Sequence, residues 1–370
     1  MSKSFKTAYN PDYMSPPGET LQETLEMLGL SQAELAERTG RPKKTINEII
    51  QGKAAITPET ALQFELVLRV PAAFWLARES KYRAWLARQD EDARIEKDVS
   101  FLDDLPLKEM AAQGWIQKRK GKREQAKEAL SFFGVVSSAK IPLVEEAAFR
   151  RSSAFATNPW ALAAWLRKGE LDAQEIQCRP YNPESFLKTL SSIRSLTTKE
   201  PPSFVTELTK LCADAGVAVV FVQELPKTSV SGATRWLSHN RPVIQLSLRH
   251  KTDDMVWFAF FHEAGHVYHE HAKREILLED KFDESLDHRE TAANRFAMDM
   301  LIPTADLQNF LKREELSPDS IRRFAKSQGI APGIVVGRLQ HQRKLDWKRY
   351  RDLKRNFSWD KWPVKTPTYV

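Results

Sequence analysis

His262 and His266 stand four residues apart with Glu263 beside the first, inside an otherwise apolar run, Trp257-Phe-Ala-Phe-Phe-His-Glu-Ala-Gly-His-Val267. Residues at i and i+4 share one face of a helix. A helix with this composition has to be buried, and two imidazoles on a buried helix need a polar partner or a cation between them. The segment therefore demands that the surrounding sequence build a site around it. A zinc ion held for catalysis takes three protein ligands and keeps one position for water, so a third donor is expected from elsewhere in the chain.

The chain of 370 residues is long enough for two or three domains. Hydrophobic residues make up 42% and charged residues 28%, ordinary values that favour a folded globular protein over a disordered one. No uncharged apolar stretch approaches the length of a membrane span, and Met1-Ser-Lys-Ser-Phe-Lys6 lacks the apolar centre of a signal peptide. Cys178 and Cys212 cannot form a disulfide framework and are expected to be reduced thiols. Together these predict a cytoplasmic protein with no membrane partner. The net charge is +7, yet residues 200–310 hold more acidic than basic side chains. The basic excess sits in Lys118-Arg-Lys-Gly-Lys-Arg123 and from Arg338 to Lys361, which suits either nucleic acid or a solvated helix face.

Ser31-Gln-Ala-Glu34 is a capping box and predicts a short helix that ends at Gly40, with Leu35 and Ala36 inward. Pro42 suits the first turn of a second helix from Lys43 to Gln51, stopped by Gly52. Two short helices joined by a Gly-containing turn are a helix-turn-helix pattern. Ile46, Ile49 and Ile50 fill the inner side of the second helix, leaving Lys43, Lys44, Thr45, Asn47 and Gln51 to face outward. Lysines neutralise phosphates and Asn or Gln can bond adenine edges in the major groove. With Gln32 and Arg41 these five are the candidate DNA-binding residues, and a polar surface helix is the competing explanation. Residues 1–90 are nearly neutral, so affinity depends on the clustering of Arg38, Arg41, Lys43, Lys44 and Lys53. The stretch through Ile56-Thr-Pro-Glu-Thr-Ala-Leu62 and Pro71-Ala-Ala-Phe-Trp-Leu76 closely resembles the XRE-type helix-turn-helix of HigA-like antitoxins over about residues 15–88. That resemblance implies a homodimer on palindromic operator DNA and pairing with a toxin.

Between Asp90 and Lys199 apolar residues recur at helical spacing, which predicts a helical spacer packed on the next module. Trp160 and Trp165 in it are expected as core. Thr197-Thr-Lys-Glu-Pro-Pro202 predicts a boundary, because paired prolines break a helix. Gly216–Val222, Gly232–Leu237 and Pro242–Leu248 predict three strands, and a helix begins near Thr252 or Asp253 and carries the histidine pair. The expected fold is therefore α+β. An all-α helix-turn-helix domain spans 1–90 and the helical spacer 91–199. A small mixed zincin-like domain spans 200–310, and a C-terminal helical pair with a basic tail spans 311–370.

The third metal ligand is predicted on Glu290-Thr-Ala-Ala-Asn-Arg-Phe-Ala297, a second helix with Glu290 in its first turn and Asn294 one turn on, placed to orient a ligand. His269 is the rival donor. Three ligands from one straight helix cannot surround a tetrahedral ion, since the outer two lie about 10 Å apart along the axis. His239, His250, His271 and His288 are expected at the surface or in hydrogen bonds. Zinc is the default ion, and manganese or iron would also satisfy two histidines and a carboxylate. In this arrangement Glu263 would carry the proton from water to the leaving amine. Residues from about Gly216 to Pro303 resemble the ImmA/IrrE family of zinc peptidases, through Phe261-His-Glu-Ala-Gly-His266 and Glu290-Thr-Ala-Ala-Asn-Arg-Phe-Ala-Met-Asp-Met-Leu-Ile-Pro303. By that resemblance His262, His266 and Glu290 are metal ligands and Glu263 the catalytic glutamate. Members cleave helix-turn-helix repressors, so the substrate expected here is a repressor, a cognate toxin or the chain itself. The alternative is an antitoxin and autorepressor whose metal domain senses or grips a toxin without cutting. Ser317-Pro318 and Gly329 predict the closing pair of short helices.

Overall fold

A computed structural model describes residues 13–144, 158–228, 230–270, 277–278, 288–313 and 316–362. The chain separates into two compact units, residues 1–99 and 100–370. His271 lies outside the described residues.

The first unit is all helix: α1 (Pro17–Leu28), α2 (Gln32–Thr39), α3 (Lys43–Ile50), α4 (Pro58–Leu68) and α5 (Ala72–Asp98). The capping box forms as its sequence dictates, Ser31 accepting from the Glu34 amide and the Glu34 carboxylate accepting from the Ser31 amide, and Gly40 closes α2 at φ 68°. Leu21, Leu25, Leu35, Ile46, Ile49, Phe64 and Trp75 form one buried core. At Gly18 a Cβ would lie 2.3 Å from the carbonyl oxygens of Ile49 and Ile50, so only glycine lets α1 approach the end of α3. No proline or glycine interrupts residues 72–98, and α5 runs unbroken past the domain boundary expected at residue 90. That expectation is corrected to residue 99.

The second unit contains α6 (Leu107–Ala112), α7 (Lys122–Phe133), α8 (Pro159–Gln174), α9 (Pro183–Ile193), α10 (Pro201–Asp214), β1 (Ala218–Phe221), β2 (Gly232–Ser238), β3 (Arg241–Leu246) and α11 (Asp253–Tyr268). After these come β4 (Leu277–Leu278), α12 (His288–Leu301), α13 (Thr304–Arg313), α14 (Pro318–Gln328) and α15 (Pro332–His341). The four strands lie in the order β1-β3-β2-β4, with β1 parallel to β3 and β2 antiparallel to both of its neighbours. The three longer strands are those expected from sequence, and the fold is α+β as predicted.

Side chains alternate across a strand, and here both faces are covered. Val217, Val219, Ile244 and Leu246 join the core that holds α11, α12 and α15. Ala218, Val220, Ala233 and Val243 pack instead on Leu162, Trp165 and Leu166 of α8. Arg235 donates to the Leu166 carbonyl at 2.8 Å and Gln245 to the Trp165 carbonyl at 2.7 Å. Part of the expected spacer is thus one layer of the sheet domain, and the divisions expected at 199 and 310 both fall inside this second unit. The basic C-terminal stretch is also partly internal. Leu345, Leu353, Phe357 and Trp362 are buried in the same core as α11, and Lys354 and Arg355 pair with Asp254 and Asp253 at its first turn.

Candidate functional site

The apolar run Met255–Phe261 drives α11 into the core, and it takes the polar pair with it. His262, Glu263 and His266 are 2%, 0% and 1% exposed. Helix α12 packs along α11 at close range because of Gly265, where a Cβ would lie 3.1 Å from the Ala293 Cα and 3.2 Å from the Phe296 ring. This approach brings Glu290, in the first turn of α12, onto the two histidines.

The donor atoms converge. The His262 and His266 Nε2 atoms are 3.0 Å apart, and Glu290 places its Oε2 3.2 Å from the first and its Oε1 3.4 Å from the second. Among the described residues this is the one group of three whose ligand atoms all lie within 4.8 Å of one another. A tetrahedral zinc with bonds of about 2.0–2.1 Å spaces its ligand atoms about 3.3–3.4 Å apart, so the group has the size such an ion requires. Asn294 Oδ1 lies 2.9 Å from His262 Nδ1. With that oxygen accepting, the proton sits on Nδ1 and the Nε2 lone pair is turned to the centre. Burial opposes ionisation of Glu290, but the adjoining His262 and His266 rings outweigh it and hold the carboxyl well below the usual carboxylate range. A carboxylate and two imidazoles brought together on buried helix faces suit a divalent cation.

His269 is outside the group. Helix α11 ends at Tyr268, and His269 caps it with an exposed ring beside Tyr268 and Phe296. His239 and His288 are exposed, and His250 lies at a cavity described below.

Glu263 points to the sheet. The Thr234 hydroxyl lies 2.5 Å from its Oε2 and 3.1 Å from its backbone carbonyl. At Gly232 a Cβ would fall 2.8 Å from Glu263 Cγ and Oε1, so the strand must carry glycine there for the carboxylate to fit. Gly232, Thr234 and Gly265 shape the site and were not singled out from sequence. The signal existed in Gly232-Ala-Thr234, a glycine inside a strand pattern that marks a close approach.

In the first unit, Lys43, Lys44 and Asn47 are exposed along α3 and Gln51 at its C-cap, while Ile46 and Ile49 are buried beneath them and Ile50 is half-buried. Thr45 is half-buried rather than fully outward. Two other candidates are engaged within the unit: Gln32 donates to Gln22 at 3.2 Å and Arg41 to Gln63 at 2.5 Å. Lys44 lies 3.8 Å from Glu48, a solvent-exposed pair of little energetic weight.

Comparison with known proteins matches residues 21–75 to a helix-turn-helix family model and residues 212–334 to a peptidase-family model described as the IrrE N-terminal-like domain. Virulence-associated protein A of Dichelobacter nodosus is 39% identical over 59 residues, 16% of this chain and 58% of the relative's own length. The uncharacterized HTH-type transcriptional regulator YddM of Escherichia coli (strain K12) is 33% identical over 89 residues, 24% of this chain and 88% of the relative. Among solved structures, an addiction module antidote protein of a HigA family from Coxiella burnetii is 30% identical, with 23% of this chain and 92% of that chain covered and a TM-score of 0.21. The chain therefore belongs to the helix-turn-helix regulators at its N-terminus and carries an IrrE N-terminal-like peptidase-family domain in its C-terminal region.

Proposed function

We propose that this protein is a DNA-binding transcriptional regulator whose second unit is a metal-dependent endopeptidase acting on a protein substrate: a repressor, a cognate toxin or the chain itself. The observation that carries it is the convergence of His262, His266 and Glu290 beside a buried Glu263, in a chain whose α3 also presents exposed Lys43, Lys44, Asn47 and Gln51. A zinc ion at the three donors would supply Lewis acidity and lower the pKa of bound water. Glu290 and the two imidazoles hold the cation, and Asn294 fixes the His262 ring. Glu263 is the base that moves a proton from the attacking water to the leaving amine, with Thr234 setting its rotamer.

On DNA, Lys43 and Lys44 contact phosphates, while Asn47 and Gln51, one turn apart, read base edges. Leu62 and Leu66 of α4 are 56% and 82% exposed one turn apart, an apolar stripe suited to a homodimer on a two-fold operator.

The second reading, a metal domain that senses or grips a toxin without cutting, is favoured by the enclosure of Glu263. It is fully buried, with Thr234 hydrogen-bonded to its carboxylate. One experiment separates the two. The zinc-loaded full chain and its Glu263→Gln variant are incubated with the proteins encoded beside it, and new N-termini are sought by mass spectrometry. Cleavage by the parent alone supports the peptidase. Equal metal loading with no cleavage by either protein leaves the sensor reading.

A further inference from the structure

A cavity of about 520 Å³ opens in the second unit, and none of His262, His266 and Glu290 lines it. One wall is apolar: Met255 and Phe258 of α11, Met298 and Leu301 of α12, Ile302 just beyond it, and Ile334 of α15. The lining is also cationic, with Arg338, Lys348, Arg351 and Lys354, and Asp254 is the one carboxylate among the lining residues. Lys354 already neutralises that carboxylate, with Nζ 2.7 Å from Oδ2.

Three features show that the wall is built and not incidental. At Gly337 a Cβ would lie 2.4 Å from Asp254 Oδ2, so glycine there admits the Asp254–Lys354 pair. Gln340 Nε2 donates to the carbonyls of Asp346, Trp347 and Arg349 and so fixes the segment at the mouth. Lys354 then sits over the Trp347 ring, 5.7 Å from its centroid, while the indole remains 59% exposed.

Arg338 is the informative group. Its Nε and Nη1 are buried, and among the described residues they make no hydrogen bond. Burial lowers its pKa, against the opposing influence of Asp299. Buried guanidinium donors without acceptors are costly and rare. Those two nitrogens are closed off from solvent, but Arg338 lines the cavity with Lys348, Arg351 and Lys354, so an anion entering it would meet four positive charges of the kinds that bind carboxylates and phosphates. Arg338, Trp347, Lys348, Arg351 and Lys354 all lie beyond residue 334, where the peptidase-family match ends, so the cationic wall belongs to the C-terminal segment.

We propose that this cavity binds a small amphipathic organic anion, its carboxylate or phosphate head among Arg338, Lys348 and Arg351 and its apolar body between Phe258, Met298 and Ile334. Cavities of about 300–1,000 Å³ hold ligands of drug size. The apolar wall argues against a polyanion such as nucleic acid, and the cationic wall against a cation or a neutral lipid.

Isothermal titration of the full chain with sodium octanoate, octyl phosphate, inorganic phosphate, 1-octanol and octylammonium tests this, the first two distinguishing a carboxylate from a phosphate source. At least one octyl anion is expected to bind at one per chain. Phosphate alone, octanol and octylammonium should each be about tenfold weaker or worse, the scale of one charge-assisted contact or of the lost apolar body. Arg338→Met keeps most of the packing volume and should weaken the anion by about tenfold or more. If Arg338→Met fails to fold, the exposed double variant Lys348→Ala/Arg351→Ala decides, with a loss of about tenfold expected. Equal binding of octylammonium and octanoate, anion binding unchanged in the deciding variant, or no binding of either anion would overturn the proposal.

Discussion

The two candidate sites are made in opposite ways. On α3 the chemistry lies outside the packing: Lys43, Lys44, Asn47 and Gln51 are exposed, and Ile46 and Ile49 beneath them hold the helix. On α11 the chemistry is the packing, because His262, Glu263 and His266 are nearly inaccessible and are held by Asn294, Thr234, Glu290 and two glycine contacts. Substitutions on α3 should therefore change binding with little change in folding. Substitutions around α11 should affect metal, chemistry and stability together.

The largest expected effect is at Glu263. Glu263→Gln should reduce cleavage by about 10²–10⁴-fold while leaving metal content unchanged, since general-base catalysis contributes on that scale. Quantifying product by mass spectrometry against time checks it, and equal rates would remove Glu263 from the chemistry.

On the exposed side, Asn47→Ala should weaken operator binding by about tenfold to a hundredfold and relax sequence preference, the range of one good base contact. Lys43→Ala/Lys44→Ala should weaken all DNA alike and lower the slope of log affinity against log salt by about two. Mobility-shift titrations at several salt concentrations read both, and neither variant should shift the melting temperature. A large shift would mean that α3 is less independent of the packing than its exposure indicates.

At the buried site, Asn294→Ala should weaken metal affinity by about 10–100-fold without abolishing it, as losses behind a ligand do. Competition with a chromophoric chelator measures it. An unchanged affinity would show that His262 is oriented by packing alone.

The smallest effect concerns the first turn of α11. Burial raises the Asp253 carboxyl to about 6, against the opposing charge of Arg355. A folded-state value above the unfolded one means that this stability contribution is complete below about pH 4, the ordinary carboxylate value, and is lost as pH rises through about 6. The melting temperature should fall by a few degrees across that window, and Asp253→Asn should flatten the change. A rise across the window in which Asp253→Asn shares would contradict it.

What was legible in the sequence was local. The Ser31–Glu34 box, the αL glycine at 40, the start of α11 and the position of Glu290 in the first turn of α12 are set by residues within a turn or two of one another. What escaped depends on distant pairs. The parallel pairing of β1 with β3 needs a crossover, and the α8 layer is joined to the sheet by Arg235 and Gln245 across 69 and 80 residues. The basic tail read as a surface feature, yet Arg355 reaches Asp253 across 102 residues. The continuation of α5 past residue 90 has another reason: the helix-turn-helix resemblance ends near residue 88 and helical spacing resumes at Asp90, with no residue between them to show that both belong to one helix.

The central claim is that His262, His266 and Glu290 hold a divalent ion. It is tested most directly by metal content of the purified full chain and of His262→Ala, measured by plasma emission after dialysis against zinc. About one zinc per parent chain and essentially none in the variant is the predicted result, since loss of one of three protein ligands removes the site. No bound zinc in the parent, or the same content in His262→Ala, would contradict it.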